Sequence, residues 1–490
     1  MSDGARRRFF EHFAVAIDQG DAALFIGAGL SVSAGYVDWR GLLREIADEL
    51  GLMVDQESDL VSLAQYHVNS ASHRGRLNRT LIEEFTRDAK VTATHRQLAG
   101  LSIRTVWTTN YDTLIEQAYG EIGKRVDVKA DARQLVTTLP KRDVTLYKMH
   151  GDIARPDDAV LIKDDYELYH RTRGDFVTAL NGDLLEKHFL FLGFSFTDPN
   201  IDQILARVRA AHGDASREHY WIVRRPAPAR ADDQADRARH EYESTKIRLR
   251  VADLRRYGIH PVWIDDYAEV ESIVSTLARL SLRRSVFVSG SAAEAGAFGE
   301  ERLERLAFRL GASLIDAGFR VVSGLGLGIG AGVLLGAVER VIAHPQFRIE
   351  DRLALRPFPQ PTGDPAARAT MWTAYREDML RQARFAVFLA GNARDAASGS
   401  VSLAHGVREE FEIARRQGVF PIPIGATGYQ ALELWREVTG DLASYFPDVD
   451  VVAADLAAAF ADLGDPAQSD ETLVATTLRV MDQVRRALVT

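Results

Sequence analysis

The chain of 490 residues contains no cysteine. This absence excludes disulfide bonds, cysteine-ligated metal centres and thiol nucleophiles. Positive charge is also limited, because 60 Lys and Arg residues face 69 Asp and Glu residues and the net charge is −9. Such a balance argues against a general surface for nucleic acids or anionic membranes. We therefore expect no nucleic-acid partner and no membrane partner.

Long apolar runs are lacking as well. No run approaches the ~18 residues that a membrane-spanning helix needs. The cluster Arg6-Arg7-Arg8 is followed by Glu11, His12 and Asp18, and these polar residues are not typical of a signal peptide. We expect a cytoplasmic protein.

The sequence does contain a regular alternation of short apolar runs and amphipathic helical stretches, which is typical of α/β layers built on parallel sheets. The chain is too long for one hydrophobic core, and the alternation restarts after residues 281–284. We therefore predict two domains, residues 1–282 and 283–490. Predicted strands are residues 22–26, 105–108, 145–149, 189–193, 220–223 and 260–264 in the first domain, and 285–288, 319–322, 385–390 and 420–424 in the second.

Two kinds of helical stretch lie between these strands. Amphipathic patterns predict helices at residues 39–50 and 77–88. The stretch 226–250 is rich in Arg, Asp, Glu and Ala. Because a run of charges usually marks a solvated face, we interpret it as an exposed helix.

A glycine turn follows the first predicted strand, in Gly27-Ala28-Gly29-Leu30-Ser31. Such a turn, when a helix follows, leaves backbone N–H groups and a helix dipole directed at an anion. This arrangement can bind the phosphates of a dinucleotide. Taken alone the signal is weak, since glycine turns between a strand and a helix are common.

Further polar segments follow the next strands and strengthen the signal. The carboxyl ends of parallel strands lie at one edge of a sheet, where open α/β sheets bind their ligands. We therefore expect these segments to converge on one crevice. They are Asp38-Trp39-Arg40, Thr108-Thr109-Asn110-Tyr111-Asp112, Met149-His150-Gly151-Asp152, and Gly193-Phe194-Ser195-Phe196-Thr197-Asp198-Pro199-Asn200.

The order of these segments and the residues in them resemble those of the sirtuin family over about residues 10–275. The resemblance implies that the first domain is a sirtuin-like Rossmann-type domain with an NAD site. In that site His150 would be the general base, and Asn110 would position the nicotinamide ribose and an attacking water. The residues implied to bind NAD are Gly27, Ala28, Gly29, Ser31, Asp38, Arg40, Asp112, Gly193 and Ser195.

Cleavage of NAD suits these residue types. Nicotinamide is already a cationic leaving group, so the site needs no strong acid. It must orient the ribose, exclude bulk water and offer a base. A histidine with the ordinary pKa of ~6.5 suits the role of base near neutral pH. The amide of Asn110 fixes geometry without neutralising the positive charge that develops on the sugar.

Each of these residues also has a purely structural interpretation. Asn110 and Asp112 are of the types that cap a helix. His150 suits a buried core position, and Ser195 and Asp198 suit a turn. Their joint occurrence in the order of the sirtuin motifs favours the functional interpretation.

The departures from the sirtuin pattern decide which reaction to expect. Protein-deacylating sirtuins carry a zinc module of four cysteines after the His-Gly motif, whereas residues 151–192 contain no cysteine. The segments Asp38-Trp39-Arg40 and Phe194-Ser195-Phe196-Thr197-Asp198-Pro199 also depart from the deacylase pattern, and they resemble those of bacterial sirtuin-like proteins that consume NAD in defence. We expect water to be the acceptor, NAD+ to be a hydrolysed substrate, and no metal or separate cofactor to take part. Two alternatives stay open, a zinc-free NAD-dependent protein deacylase and a non-catalytic nucleotide-binding sensor.

The second domain contains a glycine-rich stretch, Val321-Val322-Ser323-Gly324-Leu325-Gly326-Leu327-Gly328-Ile329-Gly330, beside the predicted turn Ser289-Gly290-Ser291. Glycines let a chain approach a ligand closely, although tight packing is an alternative. This half resembles the SLOG group of nucleotide-binding proteins, which implies a second Rossmann-like domain. It lacks the Pro-Gly-Gly loop of the catalytic members, so we expect binding without catalysis. The residues predicted to bind the nucleotide in this domain are Gly290, Ser291, Gly324, Gly326, Gly328, Arg356, Arg376, Glu409 and Glu410.

A sirtuin-like domain followed by a SLOG domain resembles the effector family of the Thoeris anti-phage defence system. The resemblance implies that the second domain binds a cyclic ADP-ribose isomer made by a TIR-domain protein. Binding would activate the NADase, and depletion of cellular NAD would stop the phage. It also implies a homo-oligomer, namely a homotetramer or a larger assembly built through the sirtuin-like domains.

Overall fold

The structure is a computed structural model that describes residues 3–213, 217–229, 233–282, 284–359, 365–395, 398–447 and 453–487. The chain divides into two compact units, Met1–Ala278 and Arg279–Thr490. Arg283, the first residue of the predicted second domain, lies outside the described residues. Each unit contains a parallel sheet with helices, which confirms the predicted α/β class. Among the described residues, no helix combines the length and the apolar character needed to cross a bilayer.

The sheet of the first unit has seven strands, all paired in parallel. They are β1 (Ala22–Ile26), β2 (Thr105–Thr108), β3 (Val126–Lys129), β4 (Val144–Lys148), β5 (His188–Leu192), β6 (His219–Arg224) and β7 (Ile259–Ile264). Their spatial order is β3-β4-β2-β1-β5-β6-β7. The sheet is buried on both faces, because Leu24 and Ile26 of β1 pack into one apolar core while Ala23 and Phe25 pack into another.

The helices of the first unit connect these strands or extend from their ends. They are α1 (Asp3–Gln19), α2 (Ala28–Val32), α3 (Trp39–Leu42), α4 (Arg44–Glu49), α5 (Leu60–Ala71), α6 (Gly75–Phe85), α7 (Ala93–Gly100), α8 (Leu114–Glu121), α9 (Ala132–Leu135), α10 (Lys163–Glu167), α11 (Tyr169–Thr172), α12 (Gly174–Glu186), α13 (Pro199–His212), α14 (Gln234–Leu254) and α15 (Glu269–Ser281).

The strand order creates a crevice at the centre of this sheet. From β1 the chain adds β2, β4 and β3 on one side and then returns to place β5 on the other. Crossovers that leave in opposite directions open a gap above the carboxyl ends of the two central strands. Ile26 of β1 pairs with Leu192 of β5. Gly27 and Gly193 therefore follow a matched pair and lie next to each other at the base of this gap.

The second unit repeats this arrangement with five parallel strands and a small antiparallel pair. The strands are β8 (Ser285–Ser291), β9 (Arg320–Ser323), β10 (Leu353–Leu355), β11 (Phe385–Ala390), β12 (Asn392–Arg394), β13 (Val401–Leu403) and β14 (Phe420–Pro423). The order β10-β9-β8-β11-β14 places the change of direction between β8 and β11. The helices are α16 (Glu300–Asp316), α17 (Gly330–Ala343), α18 (Ile349–Arg352), α19 (Pro365–Leu380), α20 (His405–Arg416), α21 (Tyr429–Gly440), α22 (Leu442–Tyr445), α23 (Ala453–Gly464) and α24 (Asp470–Ala487).

The structure corrects some local predictions. The helix predicted at residues 39–50 is interrupted at Leu43 and forms α3 and α4. The turn predicted at Gly290 and Ser291 is wrong, because both residues continue β8 and pair with β11. Strands β3, β10, β12 and β13 were not predicted. Each has only three or four residues and no more than two of them are buried, so a continuous buried apolar run does not mark it.

Candidate functional site

A large cleft opens at the carboxyl end of the first sheet. Its volume is about 1220 Å³, above the ~300–1,000 Å³ typical of pockets for small ligands. The predicted residues that line it come from the segments after β1, β2, β4 and β5, so the sheet brings these segments together. They are Ala28, Gly29, Ser31, Asp38, Arg40, Asn110, Asp112, His150, Gly193 and Ser195. Gly27 is buried at the base of the glycine turn.

The glycine turn is attached to the segment after β5 by backbone contacts. The N–H of Gly27 donates to the carbonyl oxygen of Leu192, and the N–H of Gly29 to that of Gly193, both at 2.9 Å. The prediction that the glycines leave their N–H groups uncovered is therefore wrong for these two. The helix that follows, α2, has only five residues. A side chain at Gly27 would collide with the carbonyl oxygen of Gly193, so glycine permits this close approach.

Asn110 is the centre of a buried hydrogen-bond network. Its Nδ2 donates to the carbonyl oxygen of Gly27 at 3.1 Å and to Oγ of Ser31 at 2.8 Å. The hydroxyl of Ser31 in turn donates to Oδ2 of Asp112 at 2.6 Å. Oδ1 of Asn110 is buried and has no hydrogen-bond partner in the described part of the chain. The network thus fixes the amide and leaves one acceptor free for a ligand.

Asp112 also serves the structural role considered for it. Its Oδ1 accepts a hydrogen bond of 3.0 Å from the N–H of Leu114, the first residue of α8. The carboxylate thus binds the start of a helix with one oxygen and Ser31 with the other. The two interpretations of Asp112 are compatible, because a fixed carboxylate can also position a ligand.

His150 lies just beyond β4 and is 3% exposed. Its Nε2 is 3.1 Å from Oδ2 of Asp198. The pair does not have the geometry of a hydrogen bond, so we describe the contact as electrostatic. The edge of the imidazole ring packs against Tyr166, with ring centroids 5.6 Å apart.

Asp198 is the most important residue of this site that sequence reasoning left as a turn former. The N–H groups of Asn200 and Ile201, in the first turn of α13, donate to its Oδ1 at 2.8 and 3.3 Å. This helix cap fixes the carboxylate and directs Oδ2 at His150. The sequence signal was Asp-Pro at a helix start. This signal predicts a helix cap, but it does not predict that the second carboxylate oxygen faces His150.

The surroundings keep the imidazole of His150 neutral. Burial lowers its pKa below the ordinary value, and the carboxylate of Asp198 opposes this effect while the guanidinium of Arg173 adds to it. A neutral imidazole is the form that accepts a proton. The geometry and the lowered pKa therefore both suit a general base.

Other predicted residues line the cleft but have partners of their own. Arg40 donates to the carbonyl oxygens of Val54 and Glu57. Asp38 caps α3 by accepting from the N–H of Gly41 at 2.8 Å. The hydroxyl of Ser195 contacts that of Thr197 at 2.8 Å. Because the side chains of Arg40 and Asp38 are bound to neighbouring backbone groups, we infer that they fix the shape of the part of the cleft next to α3.

One wall of the cleft comes from α14, whose segment the sequence analysis interpreted as an exposed helix. The helix is largely exposed, but one stripe of it reaches the cleft. The stripe escaped detection because the helix is charged on every side, so no apolar periodicity marks it. Its members recur at intervals of three or four residues, and they are Asp236, Arg239, His240, Glu243, Lys246, Ile247 and Arg250.

In the second unit the structure brings the predicted charged residues together. Nη1 of Arg376 donates to Oε2 of Glu409 at 2.9 Å, and its Nε is 3.4 Å from Oε1 of Glu410. The hydroxyl of Ser289 donates to Glu410 at 2.5 Å. Burial raises the pKa of Glu410. Arg356 lies apart from this cluster and pairs with Asp378 at 2.9 Å.

The glycines of the second unit pack against the ends of its strands. A Cβ at Gly326 would collide with the carbonyl oxygen of Gly290, and one at Gly328 would lie 2.6 Å from that of Ala292. Gly328 also has φ +75°, a conformation that favours glycine. A Cβ at Gly324 would lie 2.6 Å from the ring of Phe358. Close packing thus accounts for these glycines, in agreement with the alternative considered above.

Comparison with known proteins agrees with this architecture. The profile of the SIR2-like domain matches residues 104–249, and the profile of the Sir2- and TIR-associating SLOG family matches residues 269–484. Three curated relatives, each called NAD(+) hydrolase ThsA, align over most of their length. The relative from Bacillus cereus (strain MSX-D12) is 42% identical over 97% of both chains. The relative from Cytobacillus dafuensis is 39% identical over 97% of this chain and 96% of its own, and that from Acinetobacter baumannii (strain 532279) is 42% identical over 91% and 93%.

The described residues hold no group of three or more His, Asp or Glu side chains placed to bind a metal ion. The first half of the chain matches the SIR2-like profile and the second half matches the SLOG profile. The identity to the relative from Bacillus cereus extends over nearly the whole length. The chain therefore belongs to the family of ThsA NAD(+) hydrolases.

Proposed function

We propose that this chain hydrolyses NAD+ to nicotinamide and ADP-ribose. One observation carries the proposal: Asn110 and His150, from loops after neighbouring strands, line a single cleft at the switch point of the sheet. NAD+ is also the substrate that the names of the relatives state. The test is to incubate the protein with NAD+ and to follow nicotinamide and ADP-ribose.

In the proposed reaction the bond between C1′ of the ribose and the nicotinamide nitrogen breaks. Nicotinamide leaves as a neutral molecule, and the ribose carbon becomes oxocarbenium-like. The water oxygen bonds to C1′ and the water loses a proton, which His150 accepts either directly or through a ribose hydroxyl that passes on its own proton. Oδ1 of Asn110, which has no partner in the described residues, accepts a hydrogen bond from the ribose or the water. The imidazole of His150 thus accepts a proton, and the amide of Asn110 holds the reacting groups in place.

Water is the proposed acceptor rather than an acyl-lysine. Including an acylated peptide in the NAD+ reaction separates the two, because deacylation yields 2′-O-acyl-ADP-ribose and hydrolysis yields free ADP-ribose. We expect ADP-ribose alone. A non-catalytic sensor would bind NAD+ and release no nicotinamide, with or without an added cyclic nucleotide.

Asp198→Asn is expected to shift the pH dependence of the reaction. The carboxylate raises the pKa of His150, so its loss lowers that pKa. Activity needs the neutral imidazole, and the acid limb of kcat/KM should therefore move to lower pH. The maximal rate should also fall by about 10-fold, since the carboxylate stabilises the imidazolium that forms. A pH profile of kcat/KM measures both effects, and an unmoved acid limb would show that Asp198 does not act on His150.

We further propose that the second unit binds a cyclic ADP-ribose isomer and that binding activates the NADase. The proposal is supported by the match to the Sir2- and TIR-associating SLOG family and by the cluster of Arg376, Glu409 and Glu410. A phosphate of the ligand would compete with Glu409 for the guanidinium of Arg376. Measuring nicotinamide release with and without cyclic ADP-ribose isomers tests this.

Arg376→Ala is expected to weaken activation. The variant lacks the guanidinium that would pair with a phosphate of the ligand. Loss of one partner of such a buried charge pair typically costs ~2–5 kcal/mol of binding free energy, so half-maximal activation should need about 100-fold more ligand. Arg381→Ala is the matched control, because Arg381 lies just beyond the same helix and its side chain is 67% exposed. A normal response of the Arg376→Ala variant would remove Arg376 from the proposed site. Thermal unfolding of both variants establishes that each is folded.

The biological setting is proposed on the same basis. We infer a role in Thoeris anti-phage defence, in which a TIR-domain protein supplies the cyclic signal and NAD+ depletion stops the phage. We also propose a cytoplasmic homotetramer. Phage challenge of cells with and without the TIR-domain partner tests the role, and light scattering of the purified protein tests the assembly.

A further inference from the structure

Lys148 is the last residue of β4, and its side chain is completely buried. Its ammonium group donates to the carbonyl oxygens of Tyr111 (3.1 Å) and Asp112 (2.6 Å), and to carboxylate oxygens of Glu116 (3.0 Å) and Asp152 (2.5 Å). A buried ammonium is costly unless it is paired and hydrogen-bonded. Lys148 is not among the residues that line the cleft, and these contacts are the reason that a charged residue is stable here.

The oxygens that Lys148 binds come from both loops of the proposed catalytic site. Two are the carbonyl groups of residues 111–112, directly after Asn110. A third belongs to Asp152, two residues after His150. The ammonium thus joins the loop that carries the amide to the loop that carries the imidazole.

The sheet explains why one side chain can do this. Thr108 of β2 pairs in register with Lys148 of β4, so each catalytic residue lies two positions beyond a member of this pair. A backbone hydrogen bond of 3.1 Å, from the N–H of Ile153 to the carbonyl oxygen of Tyr111, crosses between the same loops. Glu116 adds an attachment to the first turn of α8.

We propose that Lys148 is a positioning residue, whose buried ammonium holds the Asn110 loop and the His150 loop at the separation that NAD+ cleavage requires. The inference rests on the proposed function of these two residues. Lys148 does not touch the substrate in this account. It acts through the carbonyl groups of Tyr111 and Asp112 and through the carboxylate of Asp152.

The test is Lys148→Met, which keeps the length of the side chain and removes the ammonium. Small displacements of catalytic groups cost about 100-fold in rate. We therefore expect kcat for nicotinamide release to fall by about 100-fold while KM for NAD+ changes by less than about threefold. A kcat within about threefold of that of the parent protein would overturn the proposal.

A second variant separates positioning from stability. Lys148→Met leaves the carboxylates of Glu116 and Asp152 buried without their cation, so it should lower the thermal unfolding midpoint. Adding Glu116→Gln removes one of these charges and should restore part of the midpoint, but not kcat, because the ties to the two carbonyl groups stay broken. Recovery of kcat together with the midpoint would mean a merely structural role and would sink the proposal.

Lys129→Met is the matched control. Lys129 is also a buried lysine at the end of a strand of this sheet, and it binds Asp127 at 2.8 Å and the carbonyl oxygen of Thr137. It contacts neither catalytic loop through these bonds. We expect this variant to lose stability and to keep kcat. A 100-fold loss of kcat in the control would show that any buried lysine of the sheet has this effect, against the proposal.

Asp152→Asn gives a test that does not depend on how Lys148→Met folds. It weakens only the arm that reaches the His150 loop, and we expect kcat to fall by about 10-fold with KM unchanged. An unchanged kcat would contradict the positioning role of Lys148. His150→Gln is measured alongside to identify the source of a failure. An active His150→Gln protein would refute the proposed function, whereas an active Lys148→Met protein would refute only the positioning role of Lys148.

Discussion

Replacing His150 with alanine is expected to reduce nicotinamide release on the order of 10³-fold, because general base catalysis typically contributes ~10²–10⁴-fold. The imidazole is buried, neutral by virtue of its lowered pKa, and aligned beside the carboxylate of Asp198. Among the described residues that line the cleft, the other histidine is His240, and it belongs to α14 rather than to a segment that follows a strand. His150→Gln should behave alike, since the amide fills similar space but cannot accept a proton at neutral pH.

Asn110→Ala is expected to reduce the rate to a similar extent for a different reason. The amide does not transfer a proton. It links the turn at Gly27 to Ser31 and offers Oδ1 to the ligand. Without it the ribose and the water lose their orientation, and orientation of the reacting groups supplies a large part of the rate enhancement.

These variants are measured by nicotinamide release at saturating NAD+, with and without a cyclic ADP-ribose isomer. Circular dichroism and thermal unfolding establish that each protein is folded. His73→Ala is the matched control, because His73 is exposed and lies outside the residues that line the cleft. If a folded His150→Ala protein released nicotinamide at the parent rate, His150 would not be the base and the mechanism would fail.

Gly27→Ala is expected to impair both stability and activity. The backbone of Gly27 has φ −108° and ψ 178°, which alanine adopts without strain. The effect is therefore purely steric, since the new methyl group would collide with the carbonyl oxygen of Gly193 and lie 2.9 Å from Cα of Phe194. Overpacking against backbone atoms costs about 1–3 kcal/mol.

The loss of activity follows from the hydrogen bonds of the same turn. The carbonyl oxygen of Gly27 accepts from Nδ2 of Asn110, so a turn that moves away from Gly193 also displaces the amide. We expect kcat to fall by at least about 10-fold and the free energy of unfolding by about 1–3 kcal/mol. Steady-state kinetics and denaturant unfolding give the two quantities.

Gly182→Ala is the control for this experiment. Gly182 lies inside α12, and a Cβ there would meet nothing within 4 Å. Alanine in a helix interior is about 0.5–1 kcal/mol more favourable than glycine, so this protein should be slightly stabilised and fully active. A Gly27→Ala protein as stable and active as the control would show that the two loops separate at no cost.

The sequence predicted much of the sheet because its strands are short, apolar and regularly spaced. The buried run Ala22–Ile26 and the run Phe385–Ala390 were found with the bounds that the structure has. It did not predict β3 or β10, which are short strands at the edges of their sheets and are only partly buried, so the apolar pattern is weak. It also misjudged Gly290, because a glycine inside a strand resembles a turn until the neighbouring strand is known.

For the site, the sequence predicted which residues meet but not how they are bound. It brought Asn110 and His150 to one cleft because the carboxyl ends of parallel strands lie together. It did not predict the contact of Asp198 with His150, the ties of Lys148, or the face that α14 presents to the cleft. Each of these joins residues from separate elements, and no local pattern encodes the distance between them.

The sequence by itself determined the fold class, the family and the types of residue offered to the substrate, because these depend on local periodicity and on motifs a few residues long. Only the tertiary structure decided which oxygens the N–H groups of Gly27 and Gly29 bind, which carboxylate faces the imidazole, and where the buried ammonium of Lys148 lies. The physical reason is that hydrogen bonds and ion pairs depend on distances of a few ångströms. Those distances exist only once strands far apart in the chain have been packed side by side.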